Sequence, residues 1–285
     1  MATLKEIKQR ITSIKNTQKI TKAMKMVAAA KMRRAQENMF AARPYATKIK
    51  ELIHRLVPNV ENLDSPFLAQ RPEEKVLLVV IAGDRGLCGG FNTNVIRAAV
   101  NEVKAHAGKQ VSIVAVGKKS VDYFRKRNFD LVERKEGFFN HLEYAHSESI
   151  TRFATKAFLS GEADVVKLIY NEFRSVAIQR PVISQLLPMR VEQEEVGVVE
   201  SLYEPDQETL LKSLLPRHIG VQVWQALLES FAAEQASRMV AMENATENAS
   251  ELIRGLTLEY NKARQAAITT EILEIVGGAE ALKNG

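Results

Sequence analysis

The chain has 285 residues, 46% hydrophobic and 26% charged, enough to bury a core in one to three domains. Forty Lys and Arg against 34 Asp and Glu leave +6, a basic balance short of a strongly nucleic-acid-like surface, and the single cysteine, Cys88, excludes an internal disulfide or a cysteine-rich metal site. No apolar run reaches the roughly 20 residues of a bilayer span, and the opening MATLKEIKQR has no apolar signal region, so a cytosolic-type start is expected.

Residues 1–57 hold 14 Lys and Arg against 3 Asp and Glu, whereas 58–207 hold 19 against 21 and 208–285 hold 7 against 10. A basic segment beside neutral and acidic ones reads either as a partner surface or as a solvated helix face. The first Pro is Pro44 and the first Gly is Gly83, so the opening segment lacks strong helix breakers. Leu4, Ile7, Ile11 and Ile14 keep 3,4,3 spacing. After the polar Asn16, Thr17 and Gln18, apolar residues resume at Ile20, Met24, Val27 and Ala30, a shift that predicts a coiled-coil stutter. Pro44 predicts a kink or break, with Ile49, Leu52, Ile53 and Leu56 continuing the stripe.

The middle alternates two periods. KVLLVVIA (75–82) is a continuous apolar run of the kind buried on both faces of a parallel sheet, followed by the turn GDRGLCGGF and a helix facing inward with Val95, Ile96, Ala99 and Val103. QVSIVAVG (110–117) reads as a second strand, 121–124 as helical, and Ile150, Phe153, Ala154, Ala157 and Phe158 as one helix face. DVVKLIYNEF (164–173) is a third strand and AIQRPVISQLL a fourth, with Pro181 marking an edge or bulge. The alternation predicts a doubly wound, Rossmann-like α/β domain.

After Pro216 no proline occurs, and Met239, Met242, Ala245, Ala249, Leu252, Leu256, Tyr260, Ala263 and Ala267 share one helical face. At about 1.5 Å per residue this helix reaches on the order of 100 Å, too long to be packed within its own domain. Its available partner is the N-terminal helix, so the two chain ends are expected to form a long antiparallel coiled coil (1–57 and 208–285) around an inserted α/β domain (58–207). Many seam positions are small or polar, so each contributes little burial, and Gly255 and the apolar end Ile268, Ile272, Leu273, Ile275, Val276 suggest a helix sheathed by other subunits.

Candidate chemistry is sparse. Gly83, Gly86, Gly89 and Gly90 stand where a phosphate loop would, yet neither GxGxxG nor GxxxxGK[ST] is present, and a tight turn with positive φ at several glycines competes with nucleotide binding. His141, His146, Glu143 and Glu148 match no common metal spacing, Cys88 has no matched base, and Asp84 and Arg85 read as a local ion pair or a contact to a neighbour. No catalytic residue, cofactor or metal is expected, which points to a mechanical or interaction role.

ITSIKNTQKITKAMKMVAAAKMRRAQ (11–36), GDRGLCGGFN (83–92), SRMVAMENATENASELI and LTLEYNKARQAAITTEILEIVGGAEAL resemble the gamma subunit of the F-type ATP synthase, in its bacterial form, over essentially the whole chain. The resemblance implies a rotor shaft entering a head of three alpha and three beta subunits. Its base would dock, with the epsilon subunit, on a membrane-embedded c-ring at the cytoplasmic face of the cell membrane. It further implies that Met24, Arg238, Arg264 and Gln265 contact beta subunits, with charge reversal at Arg238 impairing coupling without unfolding the chain. Basic side chains such as Lys8, Arg10, Lys15, Lys19, Lys22, Lys25, Arg33 and Arg34 would meet acidic beta surface, Ile268, Ile272, Leu273, Ile275 and Val276 would form a bearing tip, and Tyr203, Glu204, Pro205 and Asp206 would face the c-ring. Chloroplast relatives carry a regulatory cysteine pair; with Cys88 alone, thiol control is not expected. Two rival classes remain, a basic arm binding nucleic acid or an anionic membrane, poorly supported by 6% aromatics, and a stand-alone nucleotide enzyme.

Overall fold

The computed structural model describes residues 3–57, 65–190, 203, 204 and 206–283, with side chains described as far as 279. Two compact units divide the chain, one made of 1–27 with 239–285 and the other of 28–238. Both long helices belong partly to each: α1 spans Leu4–Leu56 and α5 spans Gln207–Lys283.

In the first unit the two helices run antiparallel. Gln18 Nε2 donates to Ser250 Oγ at 2.6 Å, the Thr21 and Thr246 hydroxyls are bonded at 2.8 Å, and Lys25 pairs with Glu243, so numbers fall along one helix as they rise along the other. The expected stutter is absent. The inward positions of α1 continue unbroken from Leu4, Ile7, Ile11 and Ile14 through Gln18, Thr21 and Lys25, while Ile20 and Val27 point outward. The polar interval imitates a break because Asn16 and Thr17 are exposed and the seam position among them is Gln18, an amide bonded across to Ser250 instead of an apolar side chain. On α5 the matching row runs through Met242, Thr246, Ala249, Ile253, Leu256, Tyr260 and Ala263; Leu252 is exposed and Ile253 takes its place.

The second unit is built on a five-stranded sheet: β1 Lys75–Ile81, β2 Gln110–Val116, β3 Leu131–Lys135, β4 Val165–Phe173 and β5 Gln179–Leu187. Their order is β3-β2-β1-β4-β5, parallel except for β5, which runs antiparallel to β4 at one edge. Pro181 lies on this edge strand, where a missing N–H is tolerated. Helices α2 Phe91–Ala105 and α3 Lys118–Lys126 cover one face over Val76, Leu78 and Val80; α4 Tyr144–Leu159 and the sheet-side parts of α1 and α5 cover the other over Leu77, Val79 and Ile81. Burial of alternate residues on both faces is why β1 reads as one apolar run. β3 was not foreseen, being short and mostly charged (LVERK).

Pro44 lies inside α1 without ending it; Ala46, Ile49, Ile53 and Leu56 just beyond are buried in the core shared with Leu211, Leu215 and Ile219 of α5, and this packing offsets the lost backbone bond. α5 begins before Pro216, at a cap in which Asp206 accepts bonds from the Thr209 N–H (2.9 Å) and hydroxyl (2.7 Å). Those bonds lower the Asp206 carboxyl below its ordinary value.

Candidate functional site

The glycine-rich turn after β1 is held against α5 within the second unit. Gly83 N–H donates to Asn92 Oδ1 at 2.8 Å, and Asn92 returns a bond to the Arg85 carbonyl at 3.1 Å. From α5, Ser237 donates to the Cys88 carbonyl at 2.7 Å and Arg238 to the Gly86 carbonyl at 3.2 Å. Arg238 is paired at 2.5 Å with Glu234, one turn earlier, and both side chains are buried. A Cβ at Gly83 would stand 2.9 Å from the Glu234 carboxyl carbon. The space beside Gly83 is therefore occupied by the Glu234 carboxylate. Positive φ occurs in the turn at Gly89 and, against expectation, at Leu87; Gly83, Gly86 and Gly90 serve close approach or ordinary turn geometry instead.

Asp84 makes no ion pair with Arg85 among the described residues. Its carboxylate accepts the N–H groups of Lys118 (3.0 Å), Gly137 (3.0 Å) and Phe139 (3.4 Å), tying the β1 turn to the start of α3 and to the segment after β3. His146 accepts the Glu143 N–H on Nδ1 at 3.1 Å and stacks on Phe138, so this histidine closes the first turn of α4. Among the described residues no three His, Cys, Asp or Glu side chains group as a metal site. Burial raises the Cys88 thiol above its ordinary value, which disfavours the thiolate.

The positions singled out as contact residues are not brought together. Met24 is half-buried on α1, beside the outward Ile20, Met26 and Val27. Arg264 and Gln265 are exposed just past Ala263, where the seam ends; from 264 to 279 every side chain of α5 is exposed, with Ile268, Ile272, Leu273, Ile275 and Val276 between 46% and 66%. Arg238 differs in kind, because its charge is already engaged by Glu234 and Gly86. Arg238→Glu would set two carboxylates together in a buried site, so the expectation that charge reversal leaves the fold intact is corrected. The signal in the sequence was the i,i+4 spacing of Glu234 and Arg238. Tyr203 packs on the core, Glu204 and Asp206 are exposed, and Pro205 lies outside the described residues.

A family model described as ATP synthase matches residues 3–282. The gamma chain of the ATP synthase of Chlorobaculum parvum is 49% identical across 99% of this chain and 100% of its own length, and that of Chloroherpeton thalassium is 46% identical across 99% of each. The chain belongs to the ATP synthase gamma-chain family. A solved structure of the Tetrahymena thermophila mitochondrial ATP synthase central stalk and c-ring contains a chain similar to it at 27% identity and a TM-score of 0.61, covering 79% of this chain and 99% of that one. A chain of the Euglena gracilis mitochondrial ATP synthase matches the fold at a TM-score of 0.69 and 24% identity, over 98% and 94%. The gamma-family fold of two long terminal helices with a central, mixed Rossmann-like sheet is thus the architecture described above. No described helix is long and apolar enough to cross a membrane.

Proposed function

We propose that the chain is the central rotor shaft of an F-type ATP synthase. It transmits rotation of a proton-driven c-ring to catalytic beta subunits, and works in reverse during ATP hydrolysis and proton pumping. Full-length kinship with gamma chains carries the reading. The antiparallel seam and the exposed overhang of α5 support it, because a lone helix with this much outward apolar surface calls for a surrounding collar. In this reading Ile268, Ile272, Leu273, Ile275 and Val276 turn as a bearing within the head of three alpha and three beta subunits. Met24, Arg264 and Gln265 meet beta loops, whereas Arg238 acts by holding the glycine-rich turn unless the assembly opens its clasp. Tyr203, Glu204 and Asp206 lie toward the c-ring, alongside epsilon. The chain performs no catalysis itself, binds no cofactor, and sits peripherally on the cytoplasmic face of the membrane through the c-ring. Exposed basic side chains on α1 suit a moving contact, since each screened ion pair is worth only about 0–1 kcal/mol.

Reconstitution tests this. Adding the chain to purified alpha and beta subunits should yield a complex with one copy per three alpha and three beta in native mass spectrometry, with MgATP hydrolysis rising on addition. Failure to form that complex, together with salt-dependent DNA binding or MgATP turnover by the isolated chain, would replace the rotor reading with a rival.

A further inference from the structure

In the second unit α1, β5 and α5 line a half-open cavity of about 550 Å³ that the rotor reading does not use. Lys50 and His54 of α1, Arg190 beyond β5, and His218 of α5 line it, with the neutral Ser184 and Gln185 on the β5 side. Among the described residues no Asp or Glu lines it. His54 and His218 each keep a buried Nδ1 with no hydrogen-bond partner, although buried polar atoms are ordinarily satisfied. Among the described residues, two cationic side chains and two imidazoles thus line one cavity without a counter-charge. Burial first, then the charges of His54 and Lys50, hold His218 down to about 4.

We propose that this cavity binds a small oxyanion of the phosphate class, held by Lys50 and Arg190 and hydrogen-bonded by His54 and His218. The guanidinium fork matches two oxygens of such an ion and the ammonium adds a point charge. The cavity exceeds one phosphate in size, so inorganic phosphate and a phosphate ester share the chemistry that would be recognised. Among the described residues the ionisable groups that share the cavity with His218 are Lys50 and His54 from α1 and Arg190 from the segment after β5, none of them a carboxylate, and β5 contributes none. A bound dianion reverses that field. It favours the protonated imidazole, and binding tightens as pH falls.

The test follows the ring resonances of the five histidines in the full chain by NMR, assigned with His54→Gln and His218→Gln, during titration with sulfate, inorganic phosphate or glycerol phosphate against chloride at matched ionic strength. Sulfate keeps its charge throughout the range in which imidazoles titrate, so its pH dependence reports the protein alone. The expected result is a saturable shift confined to His54 and His218, an upward move of the His218 midpoint, and binding weakened about tenfold or more in Lys50→Gln. Lys50 and Arg190 are both exposed, so Lys50→Gln and Arg190→Gln leave the core unchanged, and circular dichroism checks this. Tighter binding of glycerol phosphate would identify an ester as the ligand, and the reverse order the free ion. No saturable shift at millimolar anion, an equal shift with chloride, or undiminished binding in both variants would overturn the proposal.

Discussion

Replacing Arg238 with alanine probes the clasp between α5 and the glycine-rich turn. The substitution removes a bond at 2.5 Å to Glu234 and one at 3.2 Å to the Gly86 carbonyl, from a pair whose side chains are only 10% and 5% exposed. Glu234 would be left beside Gly83 with its charge buried and unpaired, a change that costs about 3–5 kcal/mol. Part of that cost is avoidable by protonation. Burial already raises the Glu234 carboxyl above its ordinary value, while Arg238 pulls it down by charge and hydrogen bond. Without Arg238 it rises further. A carboxyl whose folded pKa exceeds its unfolded value destabilises the fold as pH climbs from the unfolded value through the folded one. The deficit of Arg238→Ala should therefore be largest at neutral pH and shrink in acid. Adding Glu234→Gln should recover more than half of it. Urea unfolding followed by the fluorescence of Trp224, the chain's one tryptophan, reads the second unit directly. A loss below about 1 kcal/mol at neutral pH, or a loss equal in acid, would refute the reasoning.

Gly117 has φ of 87° and its Cβ would fall 2.0 Å from the Ala82 carbonyl oxygen, so Gly117→Ala should cost about 3 kcal/mol or more, or prevent folding, as judged by circular dichroism and urea midpoint. Gly255, with nothing within 4 Å, offers the opposite case: Gly255→Ala should stabilise the first unit by up to about 1 kcal/mol in thermal melts. Asp84→Ala strands three N–H donors and should lower stability by about 1–3 kcal/mol, with Asp84→Asn milder in the same assay. Burial and the Glu172 charge raise Glu229 to about 7 against the pull of Arg43, so stability should decline as pH rises from the ordinary carboxylate range through about 7, and Glu229→Gln should flatten that slope. In the reconstituted head, truncation after Val276 should preserve ATPase activity better than Arg264→Glu; equal losses would count against separate bearing and contact roles.

The sequence disclosed most elements because their periods differ: the unbroken run of β1, the 3,4 spacing at the chain ends, and the proline on an edge strand. β3 escaped because an edge-of-core strand of five residues buries too little to need an apolar run. The interval at Asn16 to Gln18 misled for a related reason, since hydrophobic periodicity cannot report a seam position satisfied by a hydroxyl or an amide. At Arg238 position decided over residue type, since a carboxylate one turn away permits the burial of a side chain that reads as a surface contact; Asp206 is exposed, as its turn position implies, and its carboxylate in addition caps α5. The cavity around His218 was not foreseen at all, because its groups come from three separate elements and share no sequence spacing.

The polar rungs between α1 and α5 also determine how the pair responds to twisting. Apolar seams tolerate a shift of register, since one methyl group is much like another. The bonds of Gln18 to Ser250 and Thr21 to Thr246 are directional, and moving either helix by one residue turns its side chains about 100° away from their partners. Each rung thus acts as a key in a slot. Two strands that cannot slide past each other wind and unwind as a single rod, and angular work applied at one end is not lost as slippage between them.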